Sequence, residues 1–586
     1  MTSPMRYIKS LQNIFIKRPV LLLIISIIVL TLTSALVAYK SSTIQNFNQD
    51  NLANGFMLES KAIFHDSYFQ GDHTFLVKWP IFALIGLAGT SAIAFKIASI
   101  GLYMITVAAI AVLIYLVSKR NVTITALMLL VTSLILLLVP AQPAPAFPSP
   151  VNMVMTTTRN LEFVIFFAVI WLFSRIARFE KISKKVLLSW EMWVSCVLIA
   201  LLGASDNLFY FVLIVSSVVI AVLIFLRNQQ KKSLVSLIPL GATIIGMIIG
   251  SQLLKLISAL HITTILPSGA QVTINSSLSG MFDNFLASMQ WLLVNSGANF
   301  FGKGLSTTTI PYLVNAALLL LSIVLAVFFI RRLSLRPNSN LDTRTQFIEW
   351  LVISGTVSIL LAIVATYDQI VLARYLTLFV FAEIGVLTYY AYTYFAQPVR
   401  PDALIFAITP LLVLNVIGYV AANQALDIEL SANQKEYSYF ESIENVVSNS
   451  SIDLLAANFW IAGPVKIHAQ RQLEIEPYMP YGEPDYSPIR RLTSEQFYKP
   501  SPSVKKSAIY VVSSDTDTSH YTSQCQLNAL CTYSNVPITT IASSPIDNLI
   551  NKYGEPDMRI PIQRNDGKAS SLFIYSYDIR IKNQTP

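Results

Sequence analysis

Long apolar runs without charges alternate with short polar segments along most of this chain. A helix needs about 20 apolar residues to cross a bilayer, and eleven runs approach that length. The predicted spans are Val20–Tyr39, Ala94–Val117, Thr123–Val139, Leu161–Ala177, Leu187–Gly203, Leu208–Leu226, Leu234–Ile257, Ile310–Ile330, Phe347–Ala365, Leu372–Phe395 and Leu404–Ala422. A twelfth run, Ile81–Thr90, is too short to cross alone and predicts a partly inserted helix.

The composition agrees with this pattern. Of the 586 residues, 54% are hydrophobic and only 12% are charged, whereas a soluble domain carries about 25% charged residues. Too few charges remain to cover a globular surface of this size, which excludes a soluble protein over most of the chain. The first apolar run is too long for a signal peptide, and no small-residue cleavage site follows it. We therefore expect it to be a retained span.

The pattern changes near residue 425, where polar residues become frequent and short β-like runs alternate with helical patterns. The predicted strands are Ile452–Leu455, Ala508–Ser513, Thr539–Ala542 and Ser571–Tyr577, and the predicted helices include Tyr437–Val447 and Ile546–Tyr553. The predicted fold is therefore an α-helical polytopic membrane protein over residues 1–424, followed by a soluble α/β domain over residues 425–586.

Lys and Arg clusters set the predicted orientation. If the spans simply alternate, every cluster falls on one side of the membrane, as the positive-inside rule expects of the cytoplasmic side. The clusters are Arg6, Lys9, Lys17 and Arg18; Lys119 and Arg120; Arg175, Arg178, Lys181, Lys184 and Lys185; Arg227, Lys231 and Lys232; and Arg331, Arg332, Arg336 and Arg344. We therefore expect a multi-pass protein of the plasma (inner) membrane, with a cytoplasmic N-terminus and an extracytoplasmic C-terminal domain.

The cytoplasmic basic residues explain the net charge of +9, so the charge does not indicate nucleic-acid binding. No Gly-rich phosphate loop or RNA-binding aromatic motif is present either. The cytoplasmic loops are short and basic and leave no room for a catalytic domain. The loops predicted to lie outside are residues 40–79, 140–160 and 261–309, with tight turns at Ser205–Asn207 and Tyr367–Arg374. Any chemistry is therefore expected on the outer face.

The first outer loop is too long for a mere connector. Asp50 opens it, and apolar residues at helical spacing between Leu52 and Phe64 predict a helix on the membrane surface. Lys78-Trp79-Pro80 then leads into the short Ile81–Thr90 run. A carboxylate at the membrane edge can act as a general base, and a Lys can meet a phosphate as a point charge. The alternative is that Asp50 is only the solvated flank of the first span.

An acidic residue just after the first span, a surface helix and a Lys-x-Pro step together resemble the GT-C glycosyltransferases. These include the protein O-mannosyltransferases and the bacterial aminoarabinose and other polyprenyl-phosphate-dependent sugar transferases. The usual pattern is Asp-Glu and Lys-Pro-Pro, whereas this chain has Gln49-Asp50-Asn51 and Lys78-Trp79-Pro80. The resemblance implies that Asp50 deprotonates the acceptor and that Lys78 lies near the donor phosphate.

Two further residues lie where the second outer loop meets the fourth span. Glu162 falls at the edge of the apolar run, where a charge needs a partner or a wet cavity. Arg159 precedes it by three residues, so the two could pair on a helix. They are either a polar wall of an active-site cavity or an ion pair that closes the helix start. In the glycosyltransferase interpretation, Arg159 helps to hold the donor phosphate.

The remaining candidates lie in the two tight outer turns. Asp206 either caps the sixth span or faces the cavity, and Asp368 is a second candidate for the cavity wall. Arg374 and Tyr375 begin the tenth span, and the resemblance implies that they contact the lipid-linked phosphate. Lipid headgroup contact by a snorkelling Arg is the alternative.

The sequence is compatible with more than one interpretation of its candidate metal ligands and of its C-terminal cysteines. The first outer loop holds His65, Asp66, Asp72 and His73, which are candidate ligands for a divalent ion, although zinc sites favour tighter spacing. Solvated loop groups are the alternative, and no cofactor is expected with certainty. Cys525 and Cys531 form either a small disulfide loop, if the domain faces an oxidising compartment, or two free thiols.

Together with these features, the resemblance to the GT-C enzymes implies an inverting membrane glycosyltransferase. It would move a sugar from a polyprenyl-phosphate donor to a glycan, lipid or protein acceptor on the outer face. Membrane lipids would surround the protein, and we expect no nucleic-acid partner. Two other interpretations are a transporter or flippase of lipid-linked saccharide and a non-catalytic membrane scaffold. A transporter predicts charges deep in several spans, and Lys255 and Glu383 are the main ones here.

Overall fold

The structure is a computed structural model that describes residues 19–46, 52, 56, 67–70, 73–137, 153–177, 179, 184–226, 235, 237–266, 277–302, 304–334, 341–365, 372–395, 401–436, 438–469, 472–478, 493–512, 545–564 and 570–584. These residues belong to two compact units. Unit 1 comprises the described parts of residues 1–41, 100–252 and 273–429, and unit 2 those of residues 42–99, 253–272 and 430–586.

Long apolar helices dominate the described part of the chain. By length and composition, eight of them can cross a membrane: Pro19–Gln45, Ala92–Val117, Leu208–Leu226, Ile238–Ala259, Thr307–Leu333, Thr343–Val364, Ala373–Phe395 and Ala407–Ala432. Each overlaps a predicted span, which confirms the prediction of a helical membrane protein.

The other three predicted spans correspond to shorter helices, Val122–Leu137, Asn160–Ile176 and Trp190–Ser205. At 1.5 Å per residue, such a helix is about 24 Å long, less than the hydrocarbon core of about 30 Å. All residues from Ile124 to Leu137 are buried, so this helix is surrounded by protein. The total of eleven spans remains a prediction.

Asparagine side chains fix this buried helix to its neighbours in unit 1. Asn415 donates its Nδ2 to the Leu130 carbonyl at 3.0 Å, and Asn315 donates to the Leu134 carbonyl at 3.1 Å. Thr33 and Ser133 share a hydrogen bond of 2.7 Å between their hydroxyl groups. Because an apolar interior offers no water as an alternative partner, such bonds fix the register of adjacent helices.

Four of the eight long helices have the full bounds Ile310–Ser334, Thr343–Ala365, Thr377–Phe395 and Pro401–Glu436. The remaining described helices are Trp79–Leu87, Lys184–Leu187, Leu278–Asn295, Leu372–Tyr375, Ser438–Asn449, Phe459–His468 and Pro545–Tyr553, with 3-10 turns at Leu76–Lys78, Thr307–Thr309, Glu495–Tyr498 and Ile579–Gln584. The Trp79–Leu87 helix matches the short helix that the Ile81–Thr90 run predicts.

Unit 2 contains a five-stranded mixed sheet. Its strands are β3 (Leu454–Asn458), β4 (Glu474–Tyr478), β6 (Ser507–Val512), β7 (Met558–Ile562) and β8 (Ser570–Tyr575), in the order β4-β3-β6-β8-β7. β3 runs parallel to β4 and β6, and β8 runs antiparallel to β6 and β7.

Helices cover this sheet and make the unit an α/β fold, as the sequence predicts. One side packs against the Ser438–Asn449 and Phe459–His468 helices, and the other packs against Pro545–Tyr553. The Asn458 side chain accepts a hydrogen bond from the Trp460 amide at 2.9 Å, and it thereby caps the helix that follows β3. The predicted strand Thr539–Ala542 lies outside the described residues.

A smaller sheet joins three distant parts of the chain. β1 (Ser67–Gln70) pairs in parallel with β2 (Thr264–Leu266) and antiparallel with β5 (Thr493–Ser494). Two predicted outer loops therefore belong to the same compact unit as the C-terminal domain. The unit is larger than the predicted domain of residues 425–586, because loops that hydrogen-bond to the domain fold as part of it.

This sheet constrains the membrane topology. Strands can pair only if they lie on the same side of the membrane, so an even number of crossings must separate β1 from β2 and β2 from β5. The predicted spans supply six crossings in the first interval and four in the second. The predicted alternation therefore agrees with the strand pairing in both intervals.

The β1–β5 pairing can be tested with a disulfide. Ser67 and Ser494 lie opposite each other, and opposed antiparallel residues have Cα atoms about 4.5–5.5 Å apart, within the disulfide range. We expect Ser67→Cys with Ser494→Cys, in a chain whose Cys525 and Cys531 are replaced by Ser, to oxidise to a cross-linked product detectable by mass spectrometry. The off-register pair Ser67→Cys with Gln496→Cys should cross-link much more slowly. Equal rates for the two pairs would contradict this register.

Candidate functional site

A buried ion pair in unit 1 is the centre of the candidate site. Arg159 directly precedes the Asn160–Ile176 helix, and its Nε donates to Asp206 Oδ2 at 2.6 Å. The Asp206 side chain is 1% exposed and that of Arg159 is 12% exposed. Burial disfavours a charged guanidinium, but Asp206, with smaller contributions from Tyr375 and Glu162, raises the pKa of Arg159 above its ordinary value. Arg159 is therefore a permanent cation.

The two terminal nitrogens of Arg159 differ from its Nε in their hydrogen bonding. Within the described part of the chain, Nε is the only Arg159 nitrogen that donates a hydrogen bond. Its guanidinium carbon lies 5.7 Å from the centroid of the Tyr375 ring, so the aromatic face supports the cation. A guanidinium fixed through Nε presents its two terminal amino groups as a fork, which suits phosphate or carboxylate oxygens.

Asp206 has a second function in the same turn. Its Oδ1 accepts a hydrogen bond from the Leu208 amide at 2.9 Å, at the start of the Leu208–Leu226 helix. The two interpretations of Asp206 from the sequence, a helix cap and a cavity residue, are therefore compatible. One oxygen holds the helix start while the other holds Arg159.

Glu162 lies one turn below Arg159 and is fully buried. Its Oε1 accepts a hydrogen bond from the Ser205 hydroxyl at 2.8 Å. The predicted pairing of Arg159 with Glu162 is replaced by two adjacent contacts, Arg159 with Asp206 and Glu162 with Ser205. Ser205 and Asp206 are consecutive, so a single turn receives both side chains.

The third element at the site is the short Leu372–Tyr375 helix, which precedes the Thr377–Phe395 helix. Tyr375 contacts Arg159, and half-buried Arg374 is next to it in the chain. Phe163 packs against Phe381 with ring centroids 5.0 Å apart. These aromatic contacts hold the Asn160–Ile176 and Thr377–Phe395 helices together below the polar residues.

Arg159 therefore lies where three helices begin. It precedes the Asn160–Ile176 helix, its carboxylate partner precedes Leu208–Leu226, and its aromatic partner precedes Thr377–Phe395. Helix N-termini carry a partial positive charge and favour anions. The Trp190–Ser205 helix also ends here, with Asp206 as its C-cap. Arg159 and the three helix starts are therefore a candidate anion-binding site, in which Asp206 and this helix end offset part of the positive charge.

Lys78 belongs to unit 2. It ends the 3-10 turn Leu76–Lys78, is fully buried, and its Nζ lies 4.6 Å from the centroid of the Phe75 ring. Phe75 has a φ of 49°, a left-handed conformation that is rare for a bulky residue and is found at constrained functional positions. The adjacent Trp79 Nε1 donates to the Thr74 carbonyl at 2.9 Å.

Several predicted candidates lie outside the described residues: Asp50, His65, Asp66, Asp72, Asp368, Cys525 and Cys531. His73 is described, and its ring centroid lies 5.7 Å from that of Phe75. In the part of the chain that the structure describes, no three His, Cys, Asp or Glu side chains are grouped as a metal site would require. The proposals of a general base, a divalent ion and a disulfide stay predictions.

Sequence reasoning missed the contribution of Ser205 and the Arg159–Asp206 pairing. The run Ser205-Asp206-Asn207 between two apolar stretches marks a turn with three polar side chains. That pattern identifies a turn, but the partner of each side chain comes from an element about 45 positions away. No family model matches the chain, and neither does any curated protein.

Removing the Arg159 cation should destabilise unit 1. Arg159→Met leaves the buried Asp206 carboxylate without its guanidinium partner, and losing one member of a buried pair costs about 3–5 kcal/mol. We expect a clear fall in apparent Tm in detergent, and partial recovery in the double variant Arg159→Met with Asp206→Leu.

The matched control is Arg175, at the other end of the same helix. It pairs with Glu191 at 3.1 Å and lies over Trp190, but its side chain is 38% exposed. Arg175→Met should cost about 1 kcal/mol or less, because solvent screens an exposed pair. If Arg175→Met destabilises the protein as much as Arg159→Met, burial does not control the strength of the first pair.

Proposed function

We propose that this chain is an integral-membrane glycosyltransferase of the GT-C type. It moves a sugar from a polyprenyl-phosphate donor to an acceptor on the outer face of the membrane. The observation that carries the proposal is the Arg159 site: a cation held at Nε by Asp206, with its terminal nitrogens directed to no acceptor among the described residues, at the start of three helices.

The chemistry of the donor fits such a site. A polyprenyl-phosphate sugar has an apolar tail that dissolves in the bilayer and a phosphate near the membrane surface. Arg159 and Arg374 lie at the starts of apolar helices, where a lipid-borne phosphate group would be found. The guanidinium fork and the helix starts stabilise the phosphate as it leaves with a full extra negative charge.

The reaction is a displacement at the anomeric carbon. The acceptor oxygen forms a bond to that carbon, the bond from the carbon to the phosphate oxygen breaks, and both electrons of that bond leave with the polyprenyl phosphate. Asp50, in the role that the resemblance implies, takes the proton of the acceptor hydroxyl. The lipid phosphate supplies the activation, so the reaction needs no ATP.

The orientation forms part of the proposal. The basic clusters favour a cytoplasmic N-terminus, and the starts of the helices at Arg159 and Tyr375 then face outward. Asp206 precedes a helix that begins on the same side. The plasma membrane, with its outer face as the site of transfer, is the location that these charges support.

Binding of the lipid product tests the phosphate site. Arg159→Lys keeps the charge but loses the fork and the geometry at Asp206. We expect it to weaken the binding of polyprenyl monophosphate by about tenfold or more, because hydrogen bonds to charged groups contribute about 1.5–3 kcal/mol. Native mass spectrometry of the purified full chain provides the measurement.

Arg175→Lys is the control, since Arg175 also has one acidic and one aromatic neighbour, Glu191 and Trp190, at the opposite end of the helix. Its affinity for the lipid should match that of the unmodified protein. Equal weakening by both substitutions would indicate that the lipid binds through general charge and would remove the basis for a site at Arg159.

Asp50→Asn separates the enzyme from its alternatives. In proteoliposomes supplied with polyprenyl-phosphate hexoses and pentoses and with an envelope extract as acceptor, we expect the unmodified chain to consume at least one donor. The Asn variant should bind polyprenyl monophosphate normally and consume none. Full activity of the variant would rule out Asp50 as the base, and movement of the lipid-linked sugar across the bilayer without its consumption would favour a flippase.

A further inference from the structure

A carboxyl group inside unit 1 has no part in the proposed transfer. Glu383 lies in the Thr377–Phe395 helix and is 2% exposed. Its Oε2 accepts a hydrogen bond from the Ser296 hydroxyl at 2.6 Å. Its other oxygen, Oε1, is buried and receives no hydrogen bond from the described residues. An acidic residue in an apolar helix is costly and usually marks a functional site.

A second buried oxygen lies in the same neighbourhood. Asn315 is fully buried, and its Nδ2 donates to the Gly297 carbonyl at 3.2 Å as well as to Leu134. Its Oδ1 likewise accepts no hydrogen bond from the described part of the chain. Ser296 and Gly297 are consecutive, so Glu383 and Asn315 bind adjacent residues of one turn.

That turn ends the Leu278–Asn295 helix. Gly297 has a φ of 64°, its amide donates to the Val294 carbonyl, and the next amide, of Ala298, donates to the Leu293 carbonyl. This is a Schellman ending, which needs a left-handed residue at the glycine position. The C-terminal end of a helix carries a partial negative charge and favours cations.

All these groups are therefore negative or electron-donating: a carboxylate, an amide oxygen and a helix C-terminus. No Lys, Arg or His of the described residues forms an ion pair with Glu383, since the described ion pairs of unit 1 involve other acids. A buried carboxylate without a counter-charge is strongly disfavoured. If Glu383 is ionised, the site lacks one positive charge.

We propose that Glu383 and Asn315 bind a monovalent cation of the sodium class at the end of the Leu278–Asn295 helix. Glu383 Oε1 and Asn315 Oδ1 are its side-chain ligands. One carboxylate matches one positive charge, whereas divalent ions such as Ca²⁺ take six to eight oxygen ligands, usually with several carboxylates. Among the described residues, no group of three or more His, Cys, Asp or Glu side chains includes Glu383.

The cation would stabilise the packing of three helices. Glu383 belongs to Thr377–Phe395, Asn315 to Ile310–Ser334, and the turn they share to Leu278–Asn295. The ion neutralises a charge that would otherwise weaken this packing. The proposal does not depend on sugar transfer, because it concerns a site of opposite charge preference from the Arg159 site.

Carbodiimide labelling of the purified full chain tests the proposal. Dicyclohexylcarbodiimide reacts with protonated carboxyl groups in apolar surroundings, and a bound cation keeps the carboxylate ionised and protects it. We expect labelling of Glu383, followed by peptide mass spectrometry, to be about tenfold slower in sodium chloride at about ten times its Kd than in choline chloride of equal ionic strength. The Tm should rise with sodium over the same range.

Variants assign the ligands. Glu383→Gln should abolish the label and the sodium-dependent rise in Tm, and Asn315→Ala should leave Glu383 labelled at a similar rate in both salts. Asn415→Ala is the matched control, because Asn415 also donates to a carbonyl of the Val122–Leu137 helix and has a buried Oδ1 that accepts no hydrogen bond from the described residues. It should keep the full protection by sodium.

Equal labelling rates of the unmodified chain in sodium and choline chloride, with no change in Tm, would overturn the proposal and show that Glu383 holds a proton instead. Loss of protection in Asn415→Ala as well as Asn315→Ala would exclude Asn315 as a specific ligand. The measurement on the unmodified chain decides the main question even if a variant fails to fold.

Discussion

The apolar surroundings of unit 1 constrain every polar group in it. In apolar surroundings a buried donor, acceptor or charge is costly without a partner in the protein or in a bound ligand. Arg159 has such a partner at Nε in Asp206, Glu162 at Oε1 in Ser205, and Asn415 at Nδ2 in the Leu130 carbonyl. These contacts determine which helices are adjacent and in which register, because apolar side chains alone leave the register free.

Two sites of opposite charge preference result from this constraint. At Arg159, three helix starts and the terminal nitrogens of a guanidinium favour an anion. At Glu383, a helix end and two buried oxygens favour a cation. Both sites involve the element from Leu372 to Phe395. Phe381, whose ring centroid is 5.0 Å from that of Phe163 in the Asn160–Ile176 helix, lies along it between Tyr375 and Glu383.

Unit 2 depends on a different interaction, the hydrogen bonding of backbone strands. Nearly 200 residues separate β1 from β2, and more than 200 separate β2 from β5. These strands can pair only if all three lie on the same side of the membrane. This pairing converts two predicted outer loops into parts of a folded unit. Lys78 is buried in that unit beside Phe75, and Trp79 belongs to the apolar core of the same unit.

The sequence by itself determined the membrane class, the positions of most apolar helices and the α/β character of the C-terminal region, and it named Arg159, Glu162, Asp206 and Tyr375 as separate candidates. It could do so because apolar length, basic loops and strand-like runs are local properties of the chain. Tertiary structure alone decided that Arg159 pairs with Asp206 instead of Glu162, that Ser205 and Ser296 bind buried carboxyl groups, and that outer loops complete unit 2. Those outcomes depend on contacts between residues from about 40 to more than 200 positions apart, for which spacing along the chain carries no information.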